Sequence, residues 1–275
     1  CSTSYTYIEV GRFDSCAITS DGTAICWGRK LDPSSTPPDI TLVETAVPAV
    51  GLPAVSAIAP ADSYTCALGD RYGAVYCWGT DQILSPQWDE IGFERITAGR
   101  EHFCALQSSS RVECWLKTQM GVSSDDARTR VPEARYTAIA AGHFHTCGLV
   151  EHGGHVDSAS GARSGVATCW GLSNDQGQLD APDSLLFSAI AASGVHTCGL
   201  LVEDGQAVCW GDDGAGQSNA PEGRFIAIAA GAYHTCALTV DGLAVCWGCR
   251  GTGNDQGQCN VPAGQYAAIA AAGAA

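Results

Sequence analysis

The chain has 275 residues, of which 45% are hydrophobic, and it can therefore bury one sizeable core without a stabilising metal. Its net charge of −15 leaves no basic stripe for nucleic acid or for an anionic membrane surface, so nucleic acid is excluded as a partner. The 33 glycines and 11 prolines favour short strands and turns over long helices, and no uninterrupted apolar run predicts a membrane span in this segment.

One spacing recurs along the sequence from its first strand to its last. An isoleucine in a short apolar strand precedes a cysteine by eight residues, and a second cysteine followed by tryptophan comes after the next turn. The six isoleucines are Ile8, Ile58, Ile96, Ile139, Ile190 and Ile228. We number the segments that contain them units 1 to 6, with starts near residues 7, 57, 95, 138, 189 and 227. A partial unit starts at residue 268, one residue before Ile269.

Unit 1 shows how each unit is expected to fold. Ser20, Asp21 and Gly22 suit a three-residue hairpin loop with glycine in the left-handed region, which places Cys16 opposite Cys26 on neighbouring strands. Cα atoms at such a position lie about 4.5 Å apart, which a disulfide tolerates. The same reasoning predicts one disulfide in each unit: Cys16–Cys26, Cys66–Cys77, Cys104–Cys114, Cys147–Cys169, Cys198–Cys209 and Cys236–Cys246.

The remaining cysteines do not follow a zinc-binding pattern. Cys246 and Cys249 have the C-x2-C spacing of some zinc ligands, but Cys246 already belongs to a hairpin pair. Cys249 stands ten residues before Cys259, and we predict a seventh disulfide between them in a connecting loop. Cys1 is expected to be unpaired within this sequence. Disulfides on this scale indicate an oxidising compartment.

Three segments lengthen the basic unit of about 38 residues: 31–53, 117–130 and 151–165. The first is the most apolar, and its Ser, Thr and Pro residues are candidates for O-linked sugar, with an unmodified extended loop as the default. Exposed apolar surface of this extent marks a protein interface. We therefore expect the first segment to pack on a neighbouring chain or on the rest of its own domain. Trp88, which breaks the repeat register, is added to this candidate interface. Its residues are Ile40, Leu42, Val43, Val47, Val50, Leu52 and Trp88.

The histidines and the acidic turns also repeat in register, which argues against a catalytic or metal cluster. Each repeated histidine lies two residues before the first cysteine of its unit, so each unit holds its own copy for packing or hydrogen bonding. These histidines are His102, His145, His196 and His234. The turns at 174–175, 212–213 and 254–255 are read as solvated turns, with calcium sites as the alternative. No catalytic motif is recognised, and we expect no enzyme activity, no metal and no other cofactor.

A unit of this length suits one four-stranded blade of a β-propeller, with a superhelical solenoid as the structural alternative. We therefore predict an all-β fold: residues 1–275 form a single β-propeller domain with six complete blades and a partial seventh, closing as a six- or seven-bladed ring. We expect both ends of the sequence to interrupt units. The eight-residue offset from Ile269 would place a cysteine two residues beyond Ala275, and Cys1 precedes Ile8 much as Cys259 precedes Ile269.

The units resemble those of the regulator of chromosome condensation repeat family. The residues that carry the resemblance in unit 6 are Ile228-Ala229-Ala230-Gly231, His234, Asp241-Gly242, Trp247-Gly248 and Gly257-Gln258. The paired cysteines make the chain more similar to the cysteine-rich ectodomains of crinkly-type plant receptor kinases, and the fold also resembles a secreted bacterial inhibitor of β-lactamase. These resemblances imply a propeller that binds proteins through its faces.

Two functions are consistent with these features. The first is an extracellular or cell-surface module, non-catalytic, that binds protein, either copies of itself or other subunits of an extracellular assembly. The alternative is a secreted inhibitor or lectin that binds a soluble protein or a glycan. In both cases we expect binding to involve the inserted loops, because packing constrains the repeated positions in every unit.

Overall fold

The computed structural model of the chain describes residues 4–11, 14–32, 39–48, 52–62, 64–79, 83–84, 91–116, 125–156, 163–250 and 257–271. They form twenty strands, all paired antiparallel. Among these residues no helix is long and apolar enough to cross a membrane.

Each unit contributes at least three consecutive strands that pair in chain order. Units 1 and 2 comprise β1 (Tyr5–Val10), β2 (Asp14–Thr19), β3 (Ala24–Asp32) and β4 (Asp39–Pro48), then β5 (Val55–Pro60), β6 (Tyr64–Gly69), β7 (Val75–Gly79) and β8 (Ile83–Leu84). Units 3 and 4 comprise β9 (Phe93–Ala98), β10 (His102–Gln107) and β11 (Val112–Leu116), then β12 (Tyr136–Ala141), β13 (His145–Val156) and β14 (Arg163–Gly171). Units 5 and 6 comprise β15 (Leu186–Ser193), β16 (His196–Leu201) and β17 (Ala207–Gly211), then β18 (Phe225–Ala230), β19 (His234–Thr239) and β20 (Ala244–Gly248).

The hairpin between the second and third strands is closed by a disulfide in every unit. In unit 1, Gly22 has φ of +82° and the Thr19 amide donates to the Thr23 carbonyl at 3.0 Å, which brings Cys16 opposite Cys26. The six hairpin disulfides join the pairs expected from the spacing, with Cα atoms 4.0–4.1 Å apart. Cys249 and Cys259 form the seventh, with Cα atoms 6.4 Å apart.

Two of the three inserted segments extend the sheets. Residues 39–48 form β4, which pairs with β3 as the outer strand of unit 1, where an extended loop was the default expectation. The hydrophobic residues of this segment thus belong to a strand. The pairing was not predicted, because the segment lies outside the repeated unit. In unit 4 the insertion lengthens the hairpin, since Glu151 pairs with Gly165 and Val156 with Arg163.

The core lies between units. The tryptophan after the second cysteine of unit 4, Trp170, packs with Tyr136 of its own unit against Cys104 and Leu106 of unit 3. Trp210 and Trp247 repeat this arrangement one and two units later. The first strand of each unit also packs beside the first strand of the next, so these inner strands surround a central channel. This arrangement is a β-propeller.

Candidate functional site: the central channel and its seam

The cavity that all six units share is the central channel. It has a volume of about 600 Å³ and is lined by the inner strands of all six units together with residues 269–271. A cavity of this size has the dimensions of a small-molecule or peptide site.

The residue after the repeated isoleucine lines the channel in every unit, whereas the isoleucine itself lines it in units 3 to 6. In unit 2, Ile58 packs against unit 1, while Ala57 and Ala59 on either side of it pack toward unit 3. Alanine occupies both flanking positions in four of the six units and again around Ile269. Small side chains at these positions leave the channel open.

Units 1 and 3 depart from alanine at these positions. Unit 1 has Tyr7 and Glu9, and unit 3 has Arg95 and Thr97. The Tyr7 hydroxyl donates to Glu9 Oε2 at 3.1 Å, and desolvation of the half-buried carboxyl raises the pKa of Glu9 to about 7. The channel wall is therefore polar on the side of units 1 to 3 and is formed by alanine and isoleucine on the opposite side.

At the end of the channel where the inner strands finish, charged groups are already paired. Arg100 Nε donates to Asp62 Oδ2 at 3.1 Å, and its guanidinium carbon lies 5.8 Å from the centroid of the Phe144 ring. The Arg100 amide donates to the carbonyl of His143, a residue that also lines the channel. These contacts tie units 2, 3 and 4 together at this mouth.

The repeated histidines connect one unit to the next. In three of the four, Nε2 of the ring lies 2.8 Å from a threonine hydroxyl of the following unit. The pairs are His102–Thr146, His145–Thr197 and His196–Thr235. Burial lowers the pKa of all three, to about 4 for His102 and His196 and about 3 for His145. The rings are neutral structural groups, as the repeated spacing indicated.

Unit 1 has a carboxylate in the histidine position. Asp14 Oδ2 accepts a hydrogen bond from Thr65 of unit 2 at 3.4 Å, and its Oδ1 is buried without a hydrogen-bond partner. Desolvation raises the pKa of Asp14 to about 6. In unit 2 the position holds Tyr64, and the following unit has Phe103 in place of threonine. The partner of Asp14 is thus still a threonine, whereas the position that follows Tyr64 by one unit is changed to phenylalanine.

The acidic turns bond within their own loops. Asp212 Oδ2 accepts from Gln217 Nε2, and the buried Gln217 side chain accepts from the Ala215 amide at 2.8 Å. Asn174 Oδ1 accepts from the Leu179 amide at 2.7 Å. In the described chain no group of three or more His, Cys, Asp or Glu side chains could hold a metal ion, and residues 254–255 lie outside it.

A cleft of about 770 Å³ separates β1 from the segment that contains Ala268 and Ile269. Its wall includes Ile8, which is 47% exposed, whereas Ile58 at the same repeat position is 0% exposed. On the other side the Tyr266 amide donates to the Gly242 carbonyl at 2.8 Å, as the Tyr136 amide does to Ser110. We call this cleft the seam.

The predicted interface residues lie in several places. Strand β4 contains Ile40, Leu42, Val43 and Val47, Leu52 is half-buried, and Val50, Trp88 and Cys1 lie outside the described residues. Tyr7, Glu9 and Arg95 were not predicted from the sequence to be channel residues. The signal was present, because these side chains replace alanine in an otherwise regular column of the repeat alignment.

Comparison with known proteins identifies a repeat family and a similar protein. A model of the regulator of chromosome condensation (RCC1) repeat matches residues 187–217 and 225–258, in units 5 and 6. Over 189 residues, 60% of this chain, the sequence is 26% identical to the serine/threonine-protein kinase-like protein CCR2 of Arabidopsis thaliana. The chain matches 23% of the length of that protein.

Two solved structures have the same fold over most of the chain. The ectodomain of the Physcomitrella patens receptor kinase CR4 superposes with a TM-score of 0.71 and 24% identity, over 98% of this chain and 69% of that one. The CRINKLY WD40 ectodomain of the Arabidopsis thaliana receptor kinase ACR4 superposes with a TM-score of 0.65 and 25% identity, over 89% of this chain and 79% of that one. The chain is therefore a β-propeller whose units 5 and 6 match the regulator of chromosome condensation repeat, and it is similar to the ectodomains of crinkly-type receptor kinases.

Proposed function

We propose that this chain is an extracellular, non-catalytic module that binds a protein partner. The observation that carries the proposal is the set of seven disulfides on a propeller whose similar structures are receptor ectodomains. Disulfides of this number form and persist in oxidising compartments. The buried histidines and the loop-bonded acidic turns are used in packing, which supports a binding role over a catalytic one.

Secretion of residues 1–275 as a fusion to a peroxidase tests the compartment and the partner together. We expect a folded protein with at most one free thiol. Its fused peroxidase should label proteins at the outer surface of cells from its source. The double variant Cys66→Ala/Cys77→Ala is the control for labelling by misfolded protein. A folded, fully reduced protein that labels only intracellular proteins would contradict the proposal, and labelling confined to glycans would favour the lectin alternative.

Strand β4 is proposed as part of the binding surface, because it adds an apolar outer strand that four of the described units do not show. Replacing residues 32–51 by a short glycine–serine bridge leaves β1, β2 and β3 with their disulfide. We expect this variant to lose its native assembly state or its partner labelling. Retention of both would show that the strand is not an interface.

A further inference from the structure

The side chains that depart from the repeat in the channel gather on one wall. Unit 1 contributes Tyr7 and Glu9, and unit 3 contributes Arg95, at positions where alanine is the rule. Packing does not demand these departures, because alanine fills the same positions between the other units. A half-buried carboxyl is costly unless a partner compensates its charge.

The compensation for Glu9 within the described residues is partial. Tyr7 donates one hydrogen bond to Oε2, and desolvation still raises the pKa of the carboxyl. A cation that entered the channel would supply the missing charge compensation and form a charge-assisted hydrogen bond. The opposite wall, with Ala140, Ala191 and Ala229, offers apolar contact to an aliphatic chain.

We propose that the channel receives a lysine side chain of the partner protein, with its ammonium group on Glu9 and its methylene stem against the alanine wall. This inference rests on the proposed function, since it names the chemistry by which the protein partner is held. A net charge of −15 favours partners with basic surfaces and speeds their association.

The positive charge of Arg95 distinguishes a cationic ligand from an anionic one. It lines the same cavity, is exposed, and its charge acts on Tyr7 against the larger effects that raise the pKa of that hydroxyl. A cationic ligand is repelled by Arg95, whereas an anionic ligand would need it. Substitutions of Glu9 and Arg95 therefore have opposite effects on one kind of ligand.

The probe for the test is n-butylammonium, which has the length of a lysine side chain, with butyrate and 1-butanol as the anionic and neutral controls. Binding is followed by amide chemical shifts of Ala140, Ala191 and Ala229 in the oxidised protein. We expect Glu9→Gln to weaken n-butylammonium binding about tenfold, the effect of losing one charge-assisted hydrogen bond. Arg95→Ala should leave it unchanged or strengthen it.

The matched control is Glu113→Gln, which removes the same charge from an exposed position on β11. A second measurement needs no variant: saturation with n-butylammonium should lower the pKa of the Glu9 carboxyl, followed by carbon NMR. The proposal is overturned if butyrate binds better and depends on Arg95, if Glu113→Gln weakens binding as much as Glu9→Gln, or if the Glu9 titration does not move.

These outcomes separate the channel from the broader function. Equal partner labelling by wild type and Glu9→Gln, with no n-butylammonium binding, would reject the lysine site and leave extracellular protein binding intact. Labelling of no extracellular protein, with n-butylammonium bound at Glu9, would retain the channel chemistry and reject the protein-binding function.

Discussion

Units 3 to 6 and the seam show what the same repeat does with and without a packed neighbour. Between units 3 and 6 each interface has a histidine–threonine bond and a buried tryptophan. At the seam, Ile8 is 47% exposed although its counterpart Ile58 is fully buried. The repeat thus determines the strands of a unit, but burial of its inner strand requires a neighbour on both sides.

The two regions also differ in the groups they bury. Units 3 to 5 bury imidazoles whose pKa values are lowered, and unit 1 buries carboxyls, Asp14 and Glu9, whose pKa values are raised. Both shifts follow from desolvation of the charged form. The regions therefore respond to acid with opposite sign.

The largest expected difference is between truncations at the two isoleucines. Ile58→Ala removes a fully buried side chain between units 1 and 2 and should lower the free energy of unfolding by about 2–5 kcal/mol. Ile8→Ala at the exposed seam should cost less than about 1 kcal/mol. Urea unfolding of the oxidised variants measures both. Equal losses would show that the seam is packed in solution.

Removing the ring of a connecting histidine should have the next largest effect. His145→Ala breaks the 2.8 Å contact with Thr197 and leaves a cavity, at a cost of about 2–4 kcal/mol. His234, the last of the series, shows no side-chain hydrogen bond to the described chain, so His234→Ala should cost about 1 kcal/mol less. Urea unfolding measures both variants. A larger loss of unfolding free energy for His234→Ala than for His145→Ala would contradict the prediction.

The pH dependence of stability should reveal the opposite signs. Between about pH 5 and 6 the unfolded chain binds protons at three histidines that stay neutral in the fold, while the folded protein keeps protons on Asp14 and Glu9. Burial also lowers the pKa of His234, which adds to the proton uptake of the unfolded chain. The imidazoles therefore outweigh the two carboxyls, and stability should fall with acidification by at least about 1 kcal/mol per pH unit.

Two variants separate the contributions to this slope. His145→Gln removes one imidazole and should make the dependence of stability on pH weaker. Asp14→Asn removes one carboxyl and should make it stronger. Thermal unfolding at several pH values measures both, and unchanged slopes would contradict the assignment of these groups.

The smallest difference between the regions is expected for their disulfides. Cys16–Cys26 in unit 1 and Cys104–Cys114 in unit 3 both close a separation of ten residues and have similar burial. Chain entropy assigns each about 3 kcal/mol, regardless of neighbouring units. The two double Cys→Ala variants should differ by less than about 0.5 kcal/mol. A larger difference would mean that the seam affects the folded hairpin of unit 1.

The spacing of the cysteines was sufficient to predict the hairpin disulfides, because these depend on short-range geometry, and the length of the repeated unit was sufficient to predict a propeller blade. The threonine partners of the histidines could not be predicted, since they lie 39 to 52 residues away in sequence. Strand β4 was read as an insertion because it falls outside the common repeat length. The roles of Tyr7, Glu9 and Arg95 required knowing which strand faces the channel.

The histidine–threonine contact has a direction, since the histidine of one unit always reaches the threonine of the next. Units 4 and 5 therefore present the same two surfaces, one to each side. A duplicated unit 5 inserted in tandem would find a compatible partner at both of its junctions, so gene duplication can lengthen such a ring without inventing an interface. Unit 2, which has tyrosine in the histidine position, does not have this freedom, because its duplicate would bring Tyr64 to the threonine position that Thr65 occupies.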